Sequence, residues 1–278
     1  MTNEGGAVPV LRLREAAVAH GERTLWSGLD LDVGPGEFLA VLGANGSGKT
    51  TLLRAVLGLQ PLRRGTVTIA GRPARRGSSR IGYVQQQRRL DPLMPVRAKD
   101  IVRMGLDGHR WGIGLPWRIP WAPVDAALAE VGATEYAEMP LGILSGGEQQ
   151  RVRVAQALVT DPALLLCDEP LLSLDLHSQR TITGLVDRRR REHGTAVVFV
   201  THEINPVLPY VDRVLYLAGS RFRVGTVEEV LTSETLSDLY DAPIEVVRSG
   251  GRILVAGIPE SPENTHHAGA AVTEELAS

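Results

Sequence analysis

Eight residues, Gly43 to Thr50, read GANGSGKT and fit the pattern G-x-x-x-x-G-K-[ST]. They follow an apolar run and open a helical pattern, the setting in which such a loop cradles phosphate. Gly43, Gly46 and Gly48 let backbone N–H groups turn inward around phosphate oxygens, with Ala44, Asn45 and Ser47 between them. The helix start, Lys49 to Thr51, adds partial positive charge. Lys49 can reach β- and γ-phosphates, and the Thr50 hydroxyl can ligate Mg²⁺. Lysine is otherwise scarce, Lys99 being the one other in 278 residues.

A second stretch, Leu164 to Asp175, reads LLLCDEPLLSLD. Three leucines and Cys167 predict a strand buried on both faces, yet Asp168 and Glu169 follow at once. An isolated buried carboxylate is costly. The cost is offset if Mg²⁺ and a nucleotide sit at the strand's C-terminal edge, where parallel sheets bind ligands. Asp168 would hold the ion through its water shell, and Glu169, pointing differently, would polarise an attacking water.

Elements that could position these groups are legible along the chain. VLRLRE, LDLDV, EFLAVLG, GTVTIAG and RIGYV read as strands, by alternation or β-branched content with Gly boundaries. From about Gln86 to Val159 the period becomes helical, in VRAKDIVRMGL, PVDAALAEVG and GGEQQRVRVAQALV. After Pro162, ALLLC, TAVVFVTH and RVLYLAG are strands, and LHSQRTITGLVDRRRREH is a helix. TVEEVLT and ETLSDLYD predict short helices, and IEVVR with RILVAG predicts a closing hairpin. The alternation predicts an α/β class with a largely parallel core sheet. The expected organisation is one domain over 10–256, with a helical subdomain inserted at about 87–160 and a polar, disordered tail over 257–278.

Composition bounds the function classes. The chain is 43% hydrophobic and 22% charged with net charge -2, so nothing marks the whole surface for nucleic acid or anionic lipid. The basic run VDRRRREHG, on a predicted helix, reads as a solvated face. A single cysteine excludes a disulfide framework. MTNEGGAVPV lacks a basic-then-apolar signal pattern, and no run approaches the ~20 apolar residues of a membrane span. Trp111, Trp117 and Trp121, with Arg110 and Arg118, form either a contact lip or a locally packed loop. His266 and His267 are a weak ligand pair in the tail.

LSGGEQQRVRVAQAL, Leu144 to Leu158, sets Ser145, Gly146 and Gly147 at a helix start. That turn reads as a second anion site or as a serine-capped helix. The whole segment closely resembles the signature of ABC-type ATPases, with Glu148 where many members carry Gln. The resemblance covers roughly Val10 to Ala256, with further matches in order: Gln86 at the Q-loop, Asp175 at the D-loop and His202 at the switch histidine. His20 stands where members usually stack an aromatic ring on adenine.

This likeness implies a RecA-like P-loop core, an antiparallel β-subdomain and a helical signature subdomain. It also implies ATP and Mg²⁺ as cofactors, with Thr50, Gln86 and Asp168 toward the metal and Glu169, Gln86 and His202 toward hydrolysis. Ser145 to Glu148 and Asp175 would face the nucleotide held by a second ATPase subunit, a homodimer being expected. The implied partners are integral membrane permease subunits and an extracytoplasmic substrate-binding protein, with no nucleic acid, and the implied place is the cytoplasmic face of a bacterial membrane. IGYVQQQRRLDPLMPVRAKDIVRMGLDGHRWG looks like manganese/zinc-type importer ATPases. Siderophore or haem importers, and soluble non-transport ABC ATPases, are the alternatives.

Overall fold

The computed structural model describes residues 8–86, 95–107 and 120–257. Three runs that are apolar except for the terminal Asp168, β3 (Phe38–Gly43), β7 (Leu164–Asp168) and β8 (Ala196–Val200), form the buried centre of a six-stranded sheet. Such runs suit strands covered on both faces. Together with β6 (Ile81–Val84), β9 (Arg213–Ala218) and β10 (Arg221–Gly225), the strand order is β10-β9-β3-β8-β7-β6. All neighbours run parallel except β10, which is an antiparallel edge. Because β8 lies between β3 and β7, the loops leaving all three strands emerge together at one sheet edge.

The period of two sorts the side chains of this sheet into two cores. Leu39, Val41, Leu166, Val198 and Val200 face one cluster, while Phe38, Ala40, Leu42, Cys167 and Phe199 face the other. The first cluster is closed by a four-stranded antiparallel sheet of β1 (Leu11–His20), β2 (Arg23–Val33), β4 (Arg64–Ile69) and β5 (Arg72–Pro73), and by helix α1 (Lys49–Val56). The fully buried Trp26 of β2 anchors this side. The second is closed by α2 (Ala98–Asp107), α3 (Ala122–Glu130), α4 (Gly146–Leu158) and α5 (Leu176–His193). It also takes in α6 (Val227–Val230), α7 (Ser233–Tyr240) and a terminal hairpin of β11 (Glu245–Ser249) and β12 (Arg252–Ala256). Cys167 is fully enclosed there, and burial pushes its thiol pKa far up.

The structure adds one strand, corrects one reading and bears on a third. β10 was not anticipated, because its alternating arginines (RFRVG) leave a half-exposed edge with little apolar signal. The basic run of α5 is not simply a solvated face. Arg189 is buried against Glu130, Asp161 and Thr195, and Arg190 pairs with Asp187 and Asp212. Arg188 and Arg191 alone of the four arginines are exposed. In the tryptophan-rich segment, Trp121 packs on the helical core beneath the cations of Lys99 and Arg103, which is local packing. Trp111 and Trp117 lie outside the described residues, as do Arg110, Arg118, His266, His267 and the tail beyond 257.

Candidate nucleotide-binding site

The loop between β3 and α1 is bent by glycines that space and backbone require. Gly48, the residue before α1, has φ 98, and a Cβ there would stand 2.8 Å from Trp26 Nε1. Gly43 has φ 143, and a Cβ would meet the Leu217 carbonyl oxygen at 2.1 Å. Gly46 also takes a positive φ, while Ala44 and Asn45 supply the outer turn. Lys49 is 6% exposed, and its Nζ donates to the carbonyls of Gly43 (2.7 Å) and Ala44 (3.0 Å). Burial lowers its pKa, against the raising influence of Glu169 and Asp168.

The loop also contains a buried polar atom with no hydrogen-bond partner among the described residues, the Ser47 hydroxyl. A buried polar group left unpaired costs about 1–3 kcal/mol. An unpaired hydroxyl, a buried ammonium and a loop whose Gly43 and Gly48 leave no room for a Cβ against Leu217 and Trp26 all fit a phosphate ligand. Thr50 follows exposed and Thr51 half-buried in the first turn of α1.

Asp168 ends β7 and is 6% exposed. Burial raises its pKa, opposed by the Tyr83 hydroxyl, which donates to Oδ2 at 3.0 Å, and by Lys49. Glu169 then turns left-handed, at φ 46, its N–H bonded to the Val200 carbonyl at 3.0 Å. That reversal explains how adjacent acids can serve different tasks. Such a conformation costs of order 1–3 kcal/mol and is held by its surroundings. Gln86 Nε2 donates to Glu169 Oε2 at 3.3 Å. His202, exposed beyond β8, lines a cavity of ≈ 80 Å³ with Glu169 and Ser173. It also lines a neighbouring cavity of ≈ 390 Å³ with Gly43, Ala44 and Asn45. The structure thus brings Gly43 to Lys49, Asp168, Glu169, Gln86 and His202 to one edge. The donor set of Thr50, Asp168 and Gln86 has one carboxylate, which suits an ion that arrives with its nucleotide. Among the described residues there is no self-contained metal cluster of His, Cys, Asp and Glu.

The signature turn is organised differently. Ser145 caps α4 in a reciprocal box: its N–H and hydroxyl donate to Glu148 Oε2 at 2.8 and 2.7 Å, and Glu148 N–H returns to Ser145 Oγ. These bonds hold the Glu148 carboxyl below its usual pKa. Glu148, expected to face a nucleotide, is therefore committed to its own helix here. Gly146 and Gly147 keep the turn small; a Cβ on Gly147 would lie 2.4 Å from Ser178 Oγ. Asp175 caps α5, accepting from Ser178 N (2.9 Å) and Oγ (2.7 Å), so signature and D-loop turns abut. His20 ends β1 opposite Arg23.

Sequence reading missed Trp26, Tyr83 and Asn205. Tyr83 was visible only as the polar-tipped member of IGYV, with nothing to tie it to Asp168.

Comparison with known proteins agrees with this geometry. Residues 26–172 match the ABC transporter family. The manganese transport system ATP-binding protein MntB of Halalkalibacterium halodurans is 31% identical, over 90% of this chain and 99% of that protein. The zinc import ATP-binding protein ZnuC of Halorhodospira halophila is 38% identical, over 77% of this chain and 75% of that protein. A solved structure described as an inward-facing, metal-chelate type ABC transporter superposes with TM-score 0.75 at 28% identity, over 89% of this chain and 96% of its own. With its phosphate cradle, paired acids and P-loop α/β fold, the chain belongs to the ABC transporter family and is one of its ATPases.

Proposed function

We propose that the chain powers a membrane importer of manganese or zinc, as an ATPase subunit on the cytoplasmic face of a separate permease. The observation that carries the ATPase half is the convergence at one sheet edge of the buried Lys49 and Asp168 with the more exposed Glu169 and His202. The cargo half is supported by likeness to MntB and ZnuC, proteins named for manganese transport and zinc import. No helix among the described residues is long and apolar enough to cross a membrane, which is compatible with a peripheral subunit.

In this reading, loop amides and Lys49 hold the phosphates, and the unpaired Ser47 hydroxyl gains a partner. Bound Mg²⁺ supplies neutralising charge, and Thr50, Gln86 and Asp168 are the residues that would hold it. Tyr83 fixes the rotamer of Asp168. Glu169, oriented by Gln86, accepts the proton of the attacking water, and His202 steadies the terminal phosphate. Ser145, Gly146, Gly147 and Asp175 of a second copy close over the nucleotide; Glu148 must then share Ser145 with it. Closure and reopening would transmit work to the permease.

The test is cellular manganese, zinc and iron in a deletion strain grown in metal-limited medium. Selective loss of manganese or zinc, restored by the wild-type chain and not by Glu169→Gln, is the expected result. The metal-chelate type neighbour supports a second reading, import of an iron chelate or haem, for which iron alone would fall. Unchanged metal contents, with redundant importers removed, would leave the proposal without its cargo.

A further inference from the structure

His202 stands on a short loop whose two ends are tied to different parts of the molecule. On the N-terminal side, Thr201 N–H bonds the Val41 carbonyl at 3.1 Å, and the Thr201 hydroxyl clasps the Glu203 backbone in both directions. On the C-terminal side, Asn205 makes a matched pair of bonds to one residue. Its Nδ2 donates to the Ile253 carbonyl at 2.9 Å, and its Oδ1 accepts the Ile253 N–H at 2.8 Å. Ile253 lies in β12, 48 residues later in the chain, and is 4% exposed.

The hairpin that carries Ile253 is itself firmly seated. Arg248 of β11 donates to the carbonyls of Val227 and Leu231, which close the end of α6. Val246 N–H bonds Ser233 Oγ, and Ser237 Oγ bonds the backbone of Ile244 in both directions. β12 also reaches the site: Ile253, Leu254 and Val255 line the ≈ 390 Å³ cavity that holds Ala44 and His202. Among the described residues the His202 side chain has no hydrogen bond, so its place is set by its backbone.

We propose that Asn205 is a positioning residue for hydrolysis. It clips the switch loop to β12, and the C-terminal hairpin thereby fixes where the His202 imidazole meets the terminal phosphate. The proposal rests on the reading of His202 given above. It makes the hairpin a control element, since whatever displaces β12 displaces His202.

The experiment is a double-mutant cycle in the full chain, reading kcat and equilibrium ATP affinity, with thermal melting as the folding check. Asn205→Ala is expected to lower kcat about tenfold while nucleotide Kd stays within about twofold. Asn205→Asp keeps the acceptor for the Ile253 N–H and loses the donor, so it should fall between the two. In a His202→Ala background, Asn205→Ala should have no further effect on kcat. A loss of equal size in both backgrounds would show Asn205 acting elsewhere and overturn the proposal. So would a folded Asn205→Ala with wild-type kcat. If His202→Ala alone hydrolyses ATP normally, it is the assigned role of His202 that fails first. Should Asn205→Ala not fold, Asn205→Asp serves in the same cycle with the same outcomes.

Discussion

On the phosphate-loop side, Lys49 and Asp168 are buried, Ser47 has a buried unpaired hydroxyl, and Glu169 sits in a left-handed backbone. On the signature side, Ser145 satisfies Glu148, Asp175 satisfies Ser178, and both acids have pKa values lowered by those bonds. The first half-site is held in a state that its own chain does not favour, and a nucleotide would relieve it. The second is at rest by itself, and in the proposed role it would be recruited by exchanging one set of hydrogen bonds for another. Under the proposed function, that asymmetry would set an order of events: ligand would load the strained half first, and the relaxed half would join afterwards.

The comparison can be broken most forcefully at Glu169. Glu169→Gln should lower kcat about 10³-fold, leaving ATP affinity within a few-fold, as read by steady-state hydrolysis and equilibrium binding. Gly48→Ala comes next: its methyl meets Trp26, so nucleotide binding should weaken at least tenfold, and urea melts should show a loss of about 1–3 kcal/mol. Asp168→Asn separates strain from function. A carboxyl whose folded pKa is raised penalises the fold as pH climbs past its unfolded value. The variant should therefore melt higher than wild type at pH 7, converge with it near pH 3, and hydrolyse little ATP. Equal melting at pH 7 would mean that this half-site is not strained at Asp168.

The relaxed half should respond in the opposite sense. Ser145→Ala removes the cap of α4 and should cost about 1 kcal/mol in urea melts without nucleotide. Glu148→Gln is the smallest change, about 0.3 kcal/mol from the lost charge at the helix start. Its sign follows from the lowered pKa: the contribution is present above the unfolded value and vanishes as pH falls through the folded one. Any stabilisation by Ser145→Ala would contradict a self-satisfied signature turn.

Much of this was legible in the residues. The run LLLC announced a two-sided strand because nothing polar interrupts it before Asp168, and GANGSGKT announced a loop because its glycines fall where backbone would approach a phosphate. The S-x-x-E spacing of Ser145 and Glu148 also carried the capping box, but the likeness to a nucleotide-facing signature drew the reading outward. Other features depend on partners far along the chain. Asn205 is an ordinary loop asparagine until Ile253 lies beside it, and Tyr83 is an ordinary strand tyrosine until β6 pairs with β7. Arg189 looked solvated because four arginines in a row conceal which one faces inward. Periodicity reports a face, whereas these contacts need the third dimension.

The enclosed Cys167 has a practical consequence. Its thiol is sealed in the sheet and disfavoured as thiolate, so maleimides and disulfide reagents have no ready target in the folded chain. The protein can be handled as a natural cysteine-light background. A single cysteine introduced at an exposed position, such as His177 beside the D-loop turn, would carry the sole reactive label. Spectroscopic rulers between two such labels would test whether one copy approaches another during turnover, with the native core left untouched.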